Sequence, residues 1–324
     1  MKMKRNNIKN LFGWMLPAIL LGASSLFVAC DDEISGTVVD MPEHIEWDTT
    51  DIGKYVHKNF TEPYNIRVIY RWEDGRHDMS KYLVPVKEEK VIPFLEMLKR
   101  VWMEPYIKVT TDGGNPDFFK NYVPKEILMC GSMAVNSDGT VTLGQAESGR
   151  QILLYNVNNL TPVDTANFVA FIHTMHHEFA HILQQTNKDY DTQYRALSKG
   201  GYTSSWMNIS NDAAREKGFI TAYSQADVNE DFVEMLSVRL VNSPLGWDFL
   251  LNRIKNEEAR ETLLKKEEIM KDYMLSVWGI DVDQFRLMVH ETIRQEIGYP
   301  EGRSFVFDGN YIIADIINGE VIEK

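Results

Sequence analysis

The chain has 324 residues, 44% of them hydrophobic, and a formal net charge of −13. That length and apolar content allow one large core and exclude a disordered chain. The acidic balance and the lack of any polybasic or zinc-finger pattern argue against a nucleic-acid partner, and two cysteines, Cys30 and Cys130, are too few for a disulfide framework.

The first 29 residues carry Lys2, Lys4, Arg5 and Lys9, no acid, and then an uncharged run from Asn10 to Ala29. A basic start followed by an apolar stretch predicts a secretory signal peptide over 1–29, and Pro17, Gly22, Ser24 and Ser25 interrupt the run that a transmembrane anchor needs. The run ends in LFVAC, which resembles a bacterial lipobox: Ala29 is the small residue before the cut and Cys30 the residue to be lipidated, although Phe27 stands where Leu is usual. Removing 1–29 leaves 30 cationic against 47 acidic residues, a net charge of −17. Residues 30–47, polar and acidic with Ser35, Gly36 and Pro42, read as a flexible tether to a domain over 48–324. Asp31, Asp32 and Glu33 resemble the acidic signal that exports lipoproteins of gut-type Bacteroidetes to the cell surface.

Within the domain, YNIRVIYRW (64–72) alternates as a strand does, and VIPFLEMLKRVWMEPYI (91–107) has helical spacing that stops near Pro105. From 125 to 156 the pattern predicts strands around an Asn-Ser-Asp-Gly turn, with Gln151–Val157 as the last strand and Cys130 a buried free thiol. A helix follows Thr161 and Pro162 and runs through Gln185. Residues 186–227 read as loop-rich, a helix spans about Asn229 to Val241, and two or three more fill 245–297. Strands first and helices later predict an α+β domain.

The helix after Pro162 contains HTMHHEFAHIL, residues 173–183. At 100° per residue, Phe168, Ile172, Met175, Phe179 and Ile182 fall within about 80° of one another and form a core stripe. His173, His177 and His181 fall opposite, about 40° apart, and are expected to face a cleft or water. His177-Glu178-Phe179-Ala180-His181 is an HExxH pattern. Histidines four apart project one turn from each other, so both rings can reach one Zn²⁺ at roughly 2.0–2.1 Å. Glu178 then sits beside the metal without ligating it, placed to take a proton from a water the metal has acidified. His173 has no such base after it, and His176 reads as structural or as supporting a ligand.

A third ligand is required. The metzincin extension needs Gly at 184 and His at 187, but the chain has Gln184 and Asn187, which excludes that class. The helix start in YSQADVNEDFVEML (223–236) offers Glu230, Asp231 and Glu234. Glu230 and Glu234 lie one turn apart on one face, so one can bind metal while the other orients a ligand imidazole; Asp231 lies about 100° away.

HEFAH followed by YSQADVNEDFVE resembles the gluzincin peptidases, specifically the anthrax lethal factor type, in which a tyrosine stands seven residues before the ligand glutamate. Tyr223 and Glu230 match that interval. The resemblance implies zinc ligation by His177, His181 and Glu230, one Zn²⁺ per chain, with Glu234 in support and Tyr223 stabilising an oxyanion. More widely, NFTEPYNIRVIYRW (59–72), VPKEI (123–127), GSMAVNSDGTVTLGQAESGRQILLYNVN (131–158), the HHEFAHILQQ helix and EDFVE are similar to Bacteroidetes substrate import-associated zinc metallohydrolase lipoproteins. That resemblance implies a zincin-like α+β domain with a mixed sheet, an active-site helix and a helical C-terminal part. It also implies a peptidase acting on peptide or protein substrates, an outer-membrane lipoprotein at the cell surface or periplasmic face, and a nutrient-import complex as partner. In such folds an edge strand beside the active-site helix holds the peptide, and Gln151–Asn156 is the expected strand. The rival expectation is a non-catalytic surface lipoprotein that binds a nutrient or docks on a transporter and keeps zinc as a structural tie, with His173 or His176 as fourth ligand.

Overall fold

The structure is a computed structural model that describes residues 48–136, 141–147 and 150–324, all within one compact unit, Asp48–Lys324. The expected signal peptide, Cys30, the tether and the tip of the Asn-Ser-Asp-Gly turn lie outside the described residues. None of the helices among the described residues is long and apolar enough to cross a membrane.

Helix α1 (Asp51–Val56) starts behind Thr50, whose hydroxyl accepts from the Gly53 amide, and passes through a π-turn (His57–Thr61) into α2 (Glu62–Tyr64). Asn65, at φ +55, ends that turn, and this shortens the expected strand to β1 (Arg67–Ile69). The next helical stretch is longer than expected: α3 (Glu88–Leu98), a π-turn (Lys99–Met103) and α4 (Glu104–Asp112) follow without a break. Pro105 does not stop it. It stands in the first turn of α4, just after the wide π-turn, where a missing N–H costs little. Helix α5 (Phe118–Tyr122) leads to β2 (Glu126–Met129), the short pair β3 (Ala134–Val135) and β4 (Val141–Thr142), then β5 (Gly144–Glu147) and β6 (Gln151–Leu154). Asn156, at φ +63, closes β6 earlier than the pattern suggests.

The main sheet has the order β1-β2-β6-β5, with β1, β2 and β6 parallel and β5 antiparallel to β6. Its central strands are apolar on both faces because both are covered. Ile127, Met129, Ile152 and Leu154 join the main core, whereas Leu128, Cys130, Leu153 and Tyr155 form a second cluster with Ile69. Cys130 is a buried free thiol. The register corrects one expectation: Gln151–Asn156 is no edge, since β6 pairs with β2 on one side and β5 on the other. Among the described residues the edge beside it is β5.

Helix α6 (Thr165–Thr186) crosses the main core. Phe168, Ile172, Met175 and Phe179 are fully buried and Ile182 nearly so, as the stripe predicts. The loop-rich stretch contains α7 (Asp191–Leu197), a 3₁₀ turn (Trp206–Asn208), α8 (Asn211–Arg215) and a second 3₁₀ turn (Tyr223–Gln225). Helix α9 (Val228–Val241) packs along α6, and α10 (Pro244–Asn252), α11 (Glu257–Trp278) and α12 (Val282–Glu296) follow. These four helices are the helical C-terminal part that the resemblance implies, and strands follow them. A three-stranded antiparallel sheet, β7 (Arg303–Phe307), β8 (Ile312–Ile317) and β9 (Glu320–Glu323), closes the chain, and Phe305, Val306 and Phe307 enter the main core.

Candidate metal centre

Helix α9 packs against the polar face of α6, so His173 and His177 are buried, while His181 and Glu178 stay half-buried. The first turn of α9 is fixed by its cap: the Asp227 carboxylate accepts from the amides of Asn229 and Glu230 at 2.6 and 3.3 Å. Glu230 stands at the third helical position, where a glutamate often reaches back to the cap. Here its carboxylate turns to the histidines instead.

Three ligand atoms converge. His177 Nε2 and His181 Nε2 lie 3.1 Å apart, and Glu230 Oε2 lies 3.2 Å from the first and 3.3 Å from the second. Tetrahedral zinc with bonds of roughly 2.0–2.1 Å separates its ligands by about 3.3 Å. The triangle therefore fits that ion, and the donor set of two imidazoles and one carboxylate suits it chemically. Among the described residues, Glu230 Oε2 is buried with no partner beyond these two ring nitrogens, the state of an acceptor aimed at a cation.

The other ring nitrogens are held from behind. His177 Nδ1 lies 2.8 Å from Glu234 Oε1, so the imidazole donates there and keeps Nε2 free for metal. Glu234 Oε2 in turn accepts from the Thr221 hydroxyl at 2.7 Å. His181 Nδ1 meets the side-chain amide of Gln184, which also takes the Tyr190 hydroxyl. As placed, the amide nitrogen of Gln184 faces His181 Nδ1 and its oxygen accepts from Tyr190; a His181 that ligates through Nε2 carries its proton on Nδ1 and would need the amide turned over, so that its oxygen accepts. Thr221 and Gln184 were not singled out in the sequence. Gln184 had a signal, lying one turn beyond His181 on the same face; Thr221, thirteen residues before Glu234 in an irregular segment, had none.

Charge follows the same pattern. Burial disfavours a protonated His177, but Glu230 and Glu234 outweigh it and raise its pKa to about 10. Burial pushes the Glu230 carboxyl up, yet His177 and His181 hold it down to about 2. Glu234, despite its burial, is kept well below the usual carboxylate range by His173 and His177. Without metal, a proton on His177 serves as the cation this group of acids requires.

Of the remaining predicted residues, Tyr223 is half-buried, its ring stacked 5.9 Å from that of His177 and tilted against that of Trp206 at 4.7 Å. Burial, then the charges of Glu230 and Glu234, drive its pKa well above the ordinary tyrosine value, so it remains a donor. Glu178 is half-buried on α6, and its charge reaches both His177 and Tyr223. Asp231 points away into a fully buried pair with Lys266, 2.6 Å apart, and takes no part in the metal group. His173 Nε2 lies 3.2 Å from Glu234 Oε1, on the supporting side, and His176 is buried against Tyr106 and Phe285, where burial pushes its pKa down to about 3. Among the described residues neither joins the His177, His181 and Glu230 group, so the expected fourth protein ligand is not supplied by either.

A family model described as "Putative zinc-binding metallo-peptidase" matches residues 45–283. Among solved structures, a crystal structure of a putative zinc-binding metallo-peptidase from Bacteroides caccae ATCC 43185 is 29% identical to this chain. It aligns with a TM-score of 0.64 over 75% of this chain and 92% of that one. A search of curated proteins gives no match.

Proposed function

The chain belongs to this family of putative zinc-binding metallo-peptidases, and we propose that it is a lipid-anchored peptidase of the HExxH-plus-glutamate type, cleaving peptide or protein substrates at one Zn²⁺ per chain. The observation that carries the reading is the 3.1–3.3 Å triangle of His177, His181 and Glu230. Three protein ligands leave a position for the reacting groups, whereas a structural site closes with four.

Zinc, when bound, supplies a Lewis acid that acidifies water and polarises a carbonyl. The chain's own residues do the rest. Glu234 holds the His177 imidazole in the tautomer that leaves Nε2 for the ion, and Gln184, with its amide oxygen turned to His181 Nδ1, would do the same for His181. Glu178, next to His177 in α6, accepts a proton from the attacking water and passes it to the leaving amine. Tyr223, kept neutral, donates a hydrogen bond from its hydroxyl to the oxygen on which negative charge builds. The edge strand β5 receives an extended peptide by backbone pairing. It lies close to the site: a Cβ on Gly144 would come within 2.9 Å of Thr174 Cγ2, in the turn between His173 and His177.

The location belongs to the same proposal. A lipid on Cys30 and a tether over 31–47 place the enzyme at the outer membrane, on the surface or periplasmic face, beside a complex that imports nutrients. The non-catalytic alternative, a nutrient-binding or transporter-docking lipoprotein with a structural zinc, requires the fourth ligand that His173 and His176 do not provide. Hydrolysis of a non-peptide amide uses the same residues and is separated by substrate screening. In the deciding experiment, Glu178→Gln retains about one zinc per chain and loses peptide hydrolysis by about 10²–10⁴-fold, while Glu230→Ala loses the metal. One zinc per chain in the second variant would refute the ligand assignment.

A further inference from the structure

Thr221 is the last link in the chain from His177 through Glu234, and it sits in irregular backbone between α8 and the Tyr223–Gln225 turn. Bonds to Ser224 fix its side chain locally. The segment itself is held by two struts on either side of Thr221. Asn211 Oδ1 accepts from the Ala222 amide at 2.8 Å, and Arg215 Nη1 donates to the Ile220 carbonyl at 3.1 Å. Both struts also donate to one carbonyl, that of Asp308 in the β7–β8 turn, at 3.1 and 3.5 Å.

The turn is fastened on its other side too. The Asn242 side chain, at the end of α9, accepts from the Phe307 amide at 2.9 Å and donates to the Phe307 carbonyl at 2.8 Å. Gly309, at φ +109, then comes so close to Thr221 that a Cβ would stand 2.3 Å from Thr221 Cγ2. These contacts are buried, and the turn lies beyond residue 283, where the family match ends.

We propose that the Phe307–Gly309 turn sets zinc affinity, by seating Thr221 against Glu234, with Gly309 as a positioning residue whose missing side chain is required by that seat. The inference rests on the reading of His177, His181 and Glu230 as the zinc site.

The test is zinc competition against a chromophoric chelator, with the metal-free full-length protein. Gly309→Ala weakens zinc binding about tenfold or more, the scale on which groups behind a ligand act. Gly319→Ala is the control: Gly319 has φ +86 and nothing within 4 Å of an added Cβ, so it carries comparable backbone strain without touching the site. It binds zinc within about twofold of wild type on this argument. Adding Thr221→Ser to Gly309→Ala removes the clashing methyl, keeps the hydroxyl, and restores affinity to within about threefold of wild type. Equal affinity in Gly309→Ala and Gly319→Ala, or failure of the serine to rescue, overturns the proposal. Should Gly309→Ala not fold by circular dichroism, Asn211→Ala decides, because it deletes a strut without adding atoms: several-fold weaker binding supports the proposal and unchanged binding overturns it. A wild-type chain that takes up no zinc overturns the site reading itself, and this inference with it.

Discussion

Replacing Lys266 by Met tests how the first turn of α9 is held. Lys266 and Asp231 are both fully buried; the ammonium donates to Asp231 Oδ2 at 2.6 Å and to the Gly218 carbonyl at 2.7 Å, and lies 4.1 Å from the Phe219 ring. Methionine fills much the same space but leaves the Asp231 carboxylate without its cation, with the Tyr202 hydroxyl at 3.1 Å as a neutral donor. Removing one partner of a buried pair costs about 3–5 kcal/mol, a large share of the roughly 5–15 kcal/mol that holds a domain together. The sign with pH follows from Asp231. Burial already raises its pKa to about 6 against the opposing pull of Lys266, above the ordinary 3.8. A carboxyl raised on folding favours the folded state at low pH, and that contribution is lost as pH rises through 3.8 towards 6. Without Lys266 the pKa rises further, so the deficit of the variant is smallest near pH 5 and larger at pH 8, above the wild-type value of about 6. Urea unfolding of the metal-free protein at the two pH values measures it. The double variant Lys266→Met/Asp231→Leu returns to within about 2 kcal/mol of wild type, because an apolar pair of similar volume replaces the ionic one. A single-variant deficit below about 1 kcal/mol at pH 8, or one that does not change with pH, would refute the reasoning.

Two substitutions in the site are expected to part company. Tyr223→Phe lowers kcat by about 10²–10³-fold with zinc affinity unchanged, whereas Gln184→Ala weakens zinc binding by about 10–100-fold, read by chelator competition. For the anchor, Cys30→Ser moves the protein from the membrane to the soluble fraction and abolishes labelling by a fatty-acid analogue; labelling that persists would remove Cys30 from the proposal.

The ligand-bearing helix was legible because its pattern is local. Two histidines one turn apart and a five-residue core stripe are set by helical geometry alone, and the packing of α6 agrees with both. From the residues alone the partner of those histidines was a choice among three acids, since the side that α9 presents to α6 depends on tertiary contacts; the family resemblance, through the Tyr223 to Glu230 interval, narrowed it to Glu230. How deeply the histidines lie is likewise a matter of tertiary contacts: periodicity shows that a face is polar, whether toward a cleft or water, not which element packs against it. The π-turn before Pro105 shows a local rule overridden by a wider turn. The edge-strand assignment failed because order in a sheet is long-range, and β5, with Gly144 and Gln145, is a weaker strand pattern than β6. The terminal sheet had a readable signal that went unused: Asn318-Gly319, both at positive φ, joins β8 to β9 in the two-residue turn such a pair favours.

Strand β7 also bears on where the molecule can be cut. Phe305, Val306 and Phe307 are fully buried in the main core, so a protease that cleaves between α12 and β7 takes three large side chains out of the interior, and the damage is that of a deep cavity rather than of a trimmed surface.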